Sequence, residues 1–457
     1  MGSLTTSLLN STGALSAYGR VLNVIQNNIS NSSTPGYVKQ DQSLLAMPFN
    51  AAQQTAGGVM AGPVLSARSE YLEQNVRNQA QLLGYSRQSA SDLGLVQPLF
   101  SLSSTSSVSA TLNNFFNSFS ALSVNPNDPV ERQGAINSAH QVAQSFNQAA
   151  TGISQVAANI DSQTRDVVPQ INQILEQISA LNRQFSGNAA ASQDAGLDAQ
   201  MHATLENLAS LVNFTLVKSN NGQYNVFLDG QTPLVVGDHE FALSADFSSP
   251  QTTILDSQGN DVTAQVISGQ LGALLHEKNT TLPGYMESLN QLASTFADEV
   301  NQQLSQGVDQ NGLPPAVNLF TYNQVSDAAA TIAVTGITPD QIAAASAAAP
   351  GGNGNAIAVA QLATAPLVSG LTFTQSFGEL SAQVGRDVAQ AQQDQSTDQD
   401  LLTQAQKTRS QQTGVSLDEE ASKLIQVQQA YEAVGKLVGV LSDLTRTVIN
   451  LLPPVTS

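Results

Sequence analysis

The stretch LIQVQQAYEAVGKLVGVLSDLTRTVINLL, residues 424–452, carries apolar residues at alternating intervals of three and four. Leu424, Val427, Tyr431, Val434, Val438, Leu441, Val448 and Leu452 fall on one line of a helix, with Thr445 as the polar member. A helix patterned in this way packs lengthwise against a partner helix. The opposite end of the chain offers that partner. Leu4, Leu8, Leu15, Tyr18, Leu22, Ile25 and Ile29 repeat the spacing, with Ser11 as the polar member. One such stripe is ordinary core more often than an assembly surface, so it is the placement that matters. Chain ends are usually ragged and polar. Here the two strongest amphipathic helices sit at the two extremes. Paired, they make a rod that leaves apolar surface wet, so it is marginal alone and stable beside copies of itself.

The signals flanking these helices are local. Asn31-Ser32-Ser33-Thr34-Pro35-Gly36-Tyr37 stops the first helix, and Pro35 with Gly36 suits the middle of a type II turn. Residues 38–60 lose the helical period and read as an extended, Gln-rich connector with a break at Gly57-Gly58. Before the last helix, Ser416 is placed as N-cap with Glu419 as its capping-box partner. Asp418, Glu419 and Glu420 also suit the positive end of the helix dipole, which explains the cluster without catalysis.

Inside the chain, a single three-four pattern runs from Ile136 through Phe146, Ile160, Ile171 and Ile178 to Phe185. As one helix it spans about 75 Å, and Pro169 within it predicts a bend. Two stretches, Leu282 to Leu304 and Phe377 to Gln411, are available to pack on it. From Phe214 to Val266 the pattern changes to short β-branched and aromatic runs, punctuated by Asn221-Gly222, Asp229-Gly230 and Gly259-Asn260. The expected fold is therefore mainly α. Residues 1–60 with 412–457 form a terminal two-helix coiled coil, 61–210 with 271–411 an elongated helical bundle, and 211–270 a small inserted β-domain. Within the bundle, the Ala/Gly-rich residues 316–375 carry no assignment beyond a loop at Pro350-Gly351-Gly352-Asn353-Gly354.

Composition excludes several functions. A chain of 457 residues is long enough for several domains. Its net charge of -19, from 16 Lys+Arg against 35 Asp+Glu, repels nucleic acid and anionic membrane surfaces. Only 11% of residues are charged, and uncharged polar surface packs against copies of itself at little desolvation cost. Absence of cysteine excludes disulfides, thiolate metal sites and a cysteine nucleophile. The opening residues lack the grammar of a cleaved signal peptide, and no apolar run is long enough to span a bilayer, so a soluble protein is expected. His140, His202, His239 and His276 lie far apart and read as surface or helix-face residues. Asp309-Gln310-Asn311-Gly312 places its glycine too early for a calcium loop and reads as a turn. No catalytic, metal or cofactor site is expected, and the chain does not read as an enzyme.

The N-terminal run Asn27-Asn28-Ile29-Ser30-Asn31-Ser32-Ser33-Thr34-Pro35-Gly36-Tyr37 closely resembles the signature of flagellar rod, hook and hook-associated proteins. Its motif residues here are Asn27, Asn28, Asn31, Thr34, Pro35, Gly36 and Tyr37. The C-terminal run from Val415 through Leu417-Asp418-Glu419-Glu420 to Ala433 looks like the matching terminal signature. Arg68-Ser69-Glu70-Tyr71-Leu72, Asn125-Pro126 with Arg132, and Gly272 to Tyr285 are similar to the hook-associated protein 1 family within that group. Glu277-Lys278-Asn279 departs from it where an Arg-Asp pair is expected, and Pro314-Pro315 replaces a Gly-rich turn. The resemblance implies a subunit of the hook-filament junction that forms a homo-oligomeric helical or ring assembly. The flagellar hook protein would lie on one side and a second hook-associated junction protein on the other. It also implies a cytoplasmic export chaperone and release through the flagellar type III channel into the extracellular flagellum. A secreted enzyme or adhesin acting through the β-insert is the competing reading, and it lacks any catalytic constellation.

Overall fold

The computed structural model describes residues 2–48, 57–187, 194–324 and 327–450. The chain opens with α1 (Gly2–Ser30) and turns into an antiparallel hairpin of β1 (Gln40–Ala46) and β2 (Val59–Ser66). The stretch expected as a bare extended connector is thus paired, from Gln40 opposite Ser66 to Ala46 opposite Val59, and it lies on α1. Residues 49–56 of that stretch fall outside the described residues.

The bundle follows with α2 (Glu70–Val96), α3 (Val108–Val124), α4 (Pro129–Gly187) and α5 (Ala195–Leu211). The α4 helix is continuous over 59 residues, about 88 Å at 1.5 Å per residue. Pro169 sits on its exposed side while Val167, Val168 and Ile171 beside it are buried. The helical hydrogen bond that the proline cannot donate is therefore lost on the face where water replaces it.

Next comes the β-insert: β3 (Thr215–Lys218), β4 (Tyr224–Leu228), β5 (Thr232–Val236) and β6 (His239–Glu240) form one antiparallel sheet in that order. A second hairpin, β7 (Ser244–Asp246) with β8 (Thr253–Leu255), stands beside it. Asp229 and Gly230 both adopt positive φ, as a tight hairpin turn requires. Two asparagines of α4 stitch the insert to the bundle. The amide of Asn182 donates to the carbonyls of Tyr224 and Gly237 and accepts from the Tyr224 N–H, while Asn172 bonds both backbone groups of Leu243. Each therefore serves as a strand edge presented by a helix.

The chain then returns through α6 (Gly269–His276), a π-helical turn at Glu277–Thr281 and α7 (Leu282–Ser305). Residues 307–361 form a cap of short pieces: β9 (Gly307–Val308), β10 (Phe320–Thr321), α8 (Ala328–Thr331), β11 (Ala333–Val334), β12 (Ala345–Ser346) and α9 (Gly354–Gln361). Distant side chains hold these pieces by their backbones. Arg132, 2% exposed, donates to the carbonyls of Pro126, Pro339 and Ile342, and Asn147 donates to those of Ala329 and Ile332. The Asp309 carboxylate accepts from the Asn311 and Leu313 N–H groups, closing the turn expected there.

Two long helices finish the chain, α10 (Phe373–Thr413) and α11 (Leu417–Asn450). The α10 helix was expected on the long α4; instead it runs antiparallel to α2, through Arg87 on Gln399 and Arg409 on Glu73, with Phe377 stacked on Phe100 just beyond the end of α2. The reason is occupancy: α3, α5, α7 and the insert already cover the apolar faces of α4.

The core is densest at Phe296, whose ring meets Phe115, Phe116, Phe146, Phe320 and Phe373 at centroid distances of 5.2, 6.0, 6.4, 5.2 and 5.5 Å. Helices α3, α4, α7 and α10 thus meet at one ring. Phe296→Ala is expected to cost about 3–5 kcal/mol in denaturant unfolding of the full chain, through transfer and cavity together. The π-helical turn buries Glu277 to 3% exposure, and burial chiefly pushes its carboxyl up to about 7. The unfolded form releases that proton first as pH rises past the ordinary 4.5, so folding loses stability between there and about 7. Glu277→Gln is expected to gain on the wild type progressively from pH 5 to pH 8, approaching roughly 3 kcal/mol in urea melts.

Candidate assembly interface

Helices α1 and α11 pack antiparallel. Asn28 bonds Glu420, Tyr431 lies over Gly19 and Leu15 over Gly435, the last two at 3.9 Å from where a Cβ would stand. A Cβ at either glycine would make only ordinary van der Waals contact, so the helices meet there at normal packing distance. On α11 the line Leu424, Val427, Val434, Val438, Leu441, Thr445 and Val448 is half-buried, Tyr431 is 38% exposed, and Leu452 lies outside the described residues. On α1 the line Leu4, Leu8, Leu15, Tyr18, Leu22 and Ile29 is half-buried, whereas Ala17, Val21, Ile25 and Ser11 are buried. The burial maximum is turned toward Ala17 and Val21 because the hairpin covers that flank while α11 covers the other. The sequence reading missed this second flank. The alanine and valine next to the expected line were its only signal.

At the base of this rod Asn28 is 1% exposed and all its polar capacity is used. Its amide donates to the Gln40 carbonyl at 2.8 Å and to Glu420 Oε2 at 2.9 Å, and its oxygen accepts from the Gln40 N–H at 2.9 Å and the Tyr37 hydroxyl at 3.0 Å. One side chain therefore ties α1, the hairpin and α11 together. Burial, with Glu420 nearby, raises the Tyr37 hydroxyl above the usual range. Lys39 donates to Glu419 Oε1 at 2.9 Å and stands 3.7 Å from Glu420 Oε1, and its own pKa rises through the bond to Glu419. Half of the expected capping box forms. The Glu419 N–H bonds Ser416 Oγ at 3.4 Å, but the Glu419 carboxylate turns to Lys39 and Lys423.

The remaining motif residues shape the turn. Asn31 bonds back to the Asn27 carbonyl, Thr34 donates to Asn31, and the Tyr37 N–H closes on the Thr34 carbonyl around Pro35 and Gly36. Gly36 has φ +75 and a Cβ there would stand 2.5 Å from the Ala199 carbonyl oxygen, so glycine is required twice over. The turn is thereby pressed onto α5 of the bundle.

Where rod meets bundle, a largely buried ion cluster joins four segments. Arg68 donates to the Gly36 carbonyl at 2.7 Å, to Asp198 at 2.6 Å and to Glu73, and Arg409 donates to Glu73 at 3.0 Å and Glu206 at 2.9 Å. Burial lowers the Arg409 pKa, but Glu206 and Glu73 outweigh it and the net shift is upward. His202 was expected at a surface or on a helix face, yet it is 2% exposed beside this cluster, with Nε2 at 3.2 Å from the Tyr224 hydroxyl. Burial first, then the surrounding arginines and Lys218, hold its pKa well below the usual value, so it is neutral. Among the described residues no group of three or more His, Asp or Glu side chains converges to hold a metal, and no helix is long and apolar enough to cross a membrane.

Three family models match the chain in order. Residues 8–37 match the flagella basal body rod protein model, 93–320 the helical domain of flagellar hook-associated protein FlgK, and 407–451 the C-terminal region of the flagellar basal body rod FlgEFG proteins. The flagellar hook-associated protein 1 of Bacillus subtilis is 26% identical over 96% of both chains. That of Salmonella typhimurium is 26% identical over 67% of this chain and 58% of its own. The flagellar hook junction protein FlgK from Burkholderia pseudomallei shares the fold at a TM-score of 0.67 and 18% identity, over 74% of this chain and 99% of that one. Paired ends with rod-type signatures around a helical bundle define an axial structural protein of the bacterial flagellum. Within that class, the chain belongs to the flagellar hook-associated protein 1 family.

Asn28→Leu leaves the Gln40 N–H and Glu420 Oε2 buried without the amide that satisfies them, a loss of about 1–3 kcal/mol per group. Hydrogen exchange at residues 38–42 and 417–422 is expected to quicken about tenfold or more, with the amides around Phe296 unchanged. Equal slowing or quickening in both places would show that Asn28 does not act locally.

Proposed function

We propose that this chain is a structural subunit of the flagellar hook-filament junction, polymerising through its paired terminal helices to connect hook to filament and transmit torque. The observation that carries the reading is a second apolar stripe on α11. Leu437, Val440 and Leu444 repeat the three-four interval on a face away from α1 and are 48%, 57% and 48% exposed, with Ile425 at 56% and Leu9 on α1 at 65%. Large apolar side chains in a line are buried when copies associate. Beyond its acidic first turn the helix carries charges of both signs, Lys423, Glu432, Lys436, Asp443 and Arg446, so copies packed along it do not meet a single-sign field.

The ion cluster at Arg68 supports the torque role. It sets the rod against the bundle with several charge-assisted bonds, so a twist applied to one passes to the other. Partners are proposed from the family relation: the flagellar hook protein on one side, a second hook-associated junction protein on the other, and a cytoplasmic chaperone before type III export to the extracellular flagellum. No catalysis is assigned.

Leu437→Asp with Leu444→Asp tests the reading, since both positions are already wet in the single chain. The purified variant is expected to melt within about 1 kcal/mol of wild type while cells carrying it lack a filament and do not swim. Normal swimming by that strain would overturn polymerisation through α11.

A further inference from the structure

A cleft of about 650 Å³ opens on the bundle between α2, the π-helical turn and α10, away from the terminal rod. Glu277, Asp387, Asp394 and Asp398 line it, together with Tyr85 and Tyr285. Four carboxylates thus share one concavity. The deepest, Glu277, is 3% exposed; its Oε1 accepts from Ser89 at 3.1 Å, and its Oε2 has no hydrogen-bond partner among the described residues. A buried carboxylate oxygen left unpaired is costly, and a donor that reaches it recovers that cost. The Tyr285 hydroxyl donates to Asp387 at 2.6 Å, which fixes that carboxylate at the wall.

Among the described residues no Lys or Arg lines the cleft. Lys278 follows Glu277 in the chain but turns to Asp161 at 2.6 Å, and Arg87 of α2 donates to Gln399 at 3.0 Å. Arg386 lies next to Asp387 in sequence, on the exposed side of α10 and outside the lining. His276 stands exposed at the rim, its ring 6.4 Å from that of Tyr85. Burial chiefly raises the Glu277 carboxyl, hydrogen bonds from Thr281 and Ser89 oppose the rise, and the nearby charges of Asp92 and Asp387 add to it.

We propose that this cleft receives guanidinium or ammonium side chains presented by a neighbouring protein chain. The cationic chemistry follows from the unpaired Glu277 oxygen and the carboxylate row, with the half-buried Tyr85 ring beside it for cation–π contact. A protein source follows from shape. Asp387, Asp394 and Asp398 stand seven and four residues apart on one face of α10 and make an open strip about 16 Å long. An extended basic segment matches such a strip, whereas a compact cation fills one end of it. The inference concerns the bundle and is independent of polymerisation through the rod.

Calorimetric titration of the full chain tests it, using an end-blocked peptide of alternating glycine and arginine and its citrulline counterpart. The arginine peptide is expected to bind and the citrulline peptide to bind at least about tenfold more weakly, with affinity falling as salt rises. Asp394→Asn with Asp398→Asn, at partly or fully exposed positions, is expected to weaken the arginine peptide by a similar factor while the circular-dichroism melt stays unchanged. Absence of binding at millimolar peptide, equal binding of both peptides, or an unaffected double variant would overturn the proposal. Spermidine binding as tightly as the peptide would overturn its assignment to a protein chain.

Discussion

Asn28 sits where the first helix, the hairpin and the last helix converge, and its amide joins all three at once. The Asn28–Glu420 contact spans 392 positions of sequence. Closing so long a loop costs only logarithmically more than closing a short one, and the folded bundle shortens the effective distance further. The bundle therefore sets the two ends side by side, and the buried amide then selects their register. Without that selection, two apolar stripes with a three-four repeat could slide past each other by whole turns at little cost.

A rod carrying load also needs a firm foot. Ion pairs buried at the base contribute modestly to stability once desolvation is counted, but they tolerate few geometries. Arg68 illustrates this. It grips the backbone of the Gly36 turn, a carboxylate of α5 and a carboxylate of α2, so the rod's direction is read from three places. Gly36, without a side chain, allows the turn to lie directly on the Ala199 carbonyl. A neutral His202 beside the cluster adds no competing charge.

The surface divides by role. Along α11 the face toward α1 is half-buried and the remaining apolar residues are left wet, while the bundle buries a continuous aromatic core centred on Phe296. The bundle thus holds a core of its own, whereas the two-helix rod contributes nothing to that core. That asymmetry suits an end that assembles on a body with its own core.

The terminal helices, the long α4 and the Pro35-Gly36 turn were legible because each follows from residues within a few positions: a repeat sustained over many turns, or a dihedral that only certain residues accept. Helix α2 was not legible. Its inner face carries Glu73, Arg77, Ser86, Gln88, Ser89 and Asp92 among the apolar residues, which breaks the period a reader looks for. Those polar groups are buried because partners such as Arg68, Arg409, Gln163 and Glu277 arrive from elsewhere in the chain. Residues 307–361 were opaque for the same reason, being held by Arg132 and Asn147 rather than by their own pattern. The sequence by itself determined that both ends are helices with a seam and that the interior is a bundle with a β-insert, since local periodicity suffices for that. Only the tertiary structure decided that α10 lies on α2, that the hairpin covers one flank of α1 and that Asn28 and Arg68 are the fastenings, because hydrogen bonds between distant residues leave no periodic trace in the chain.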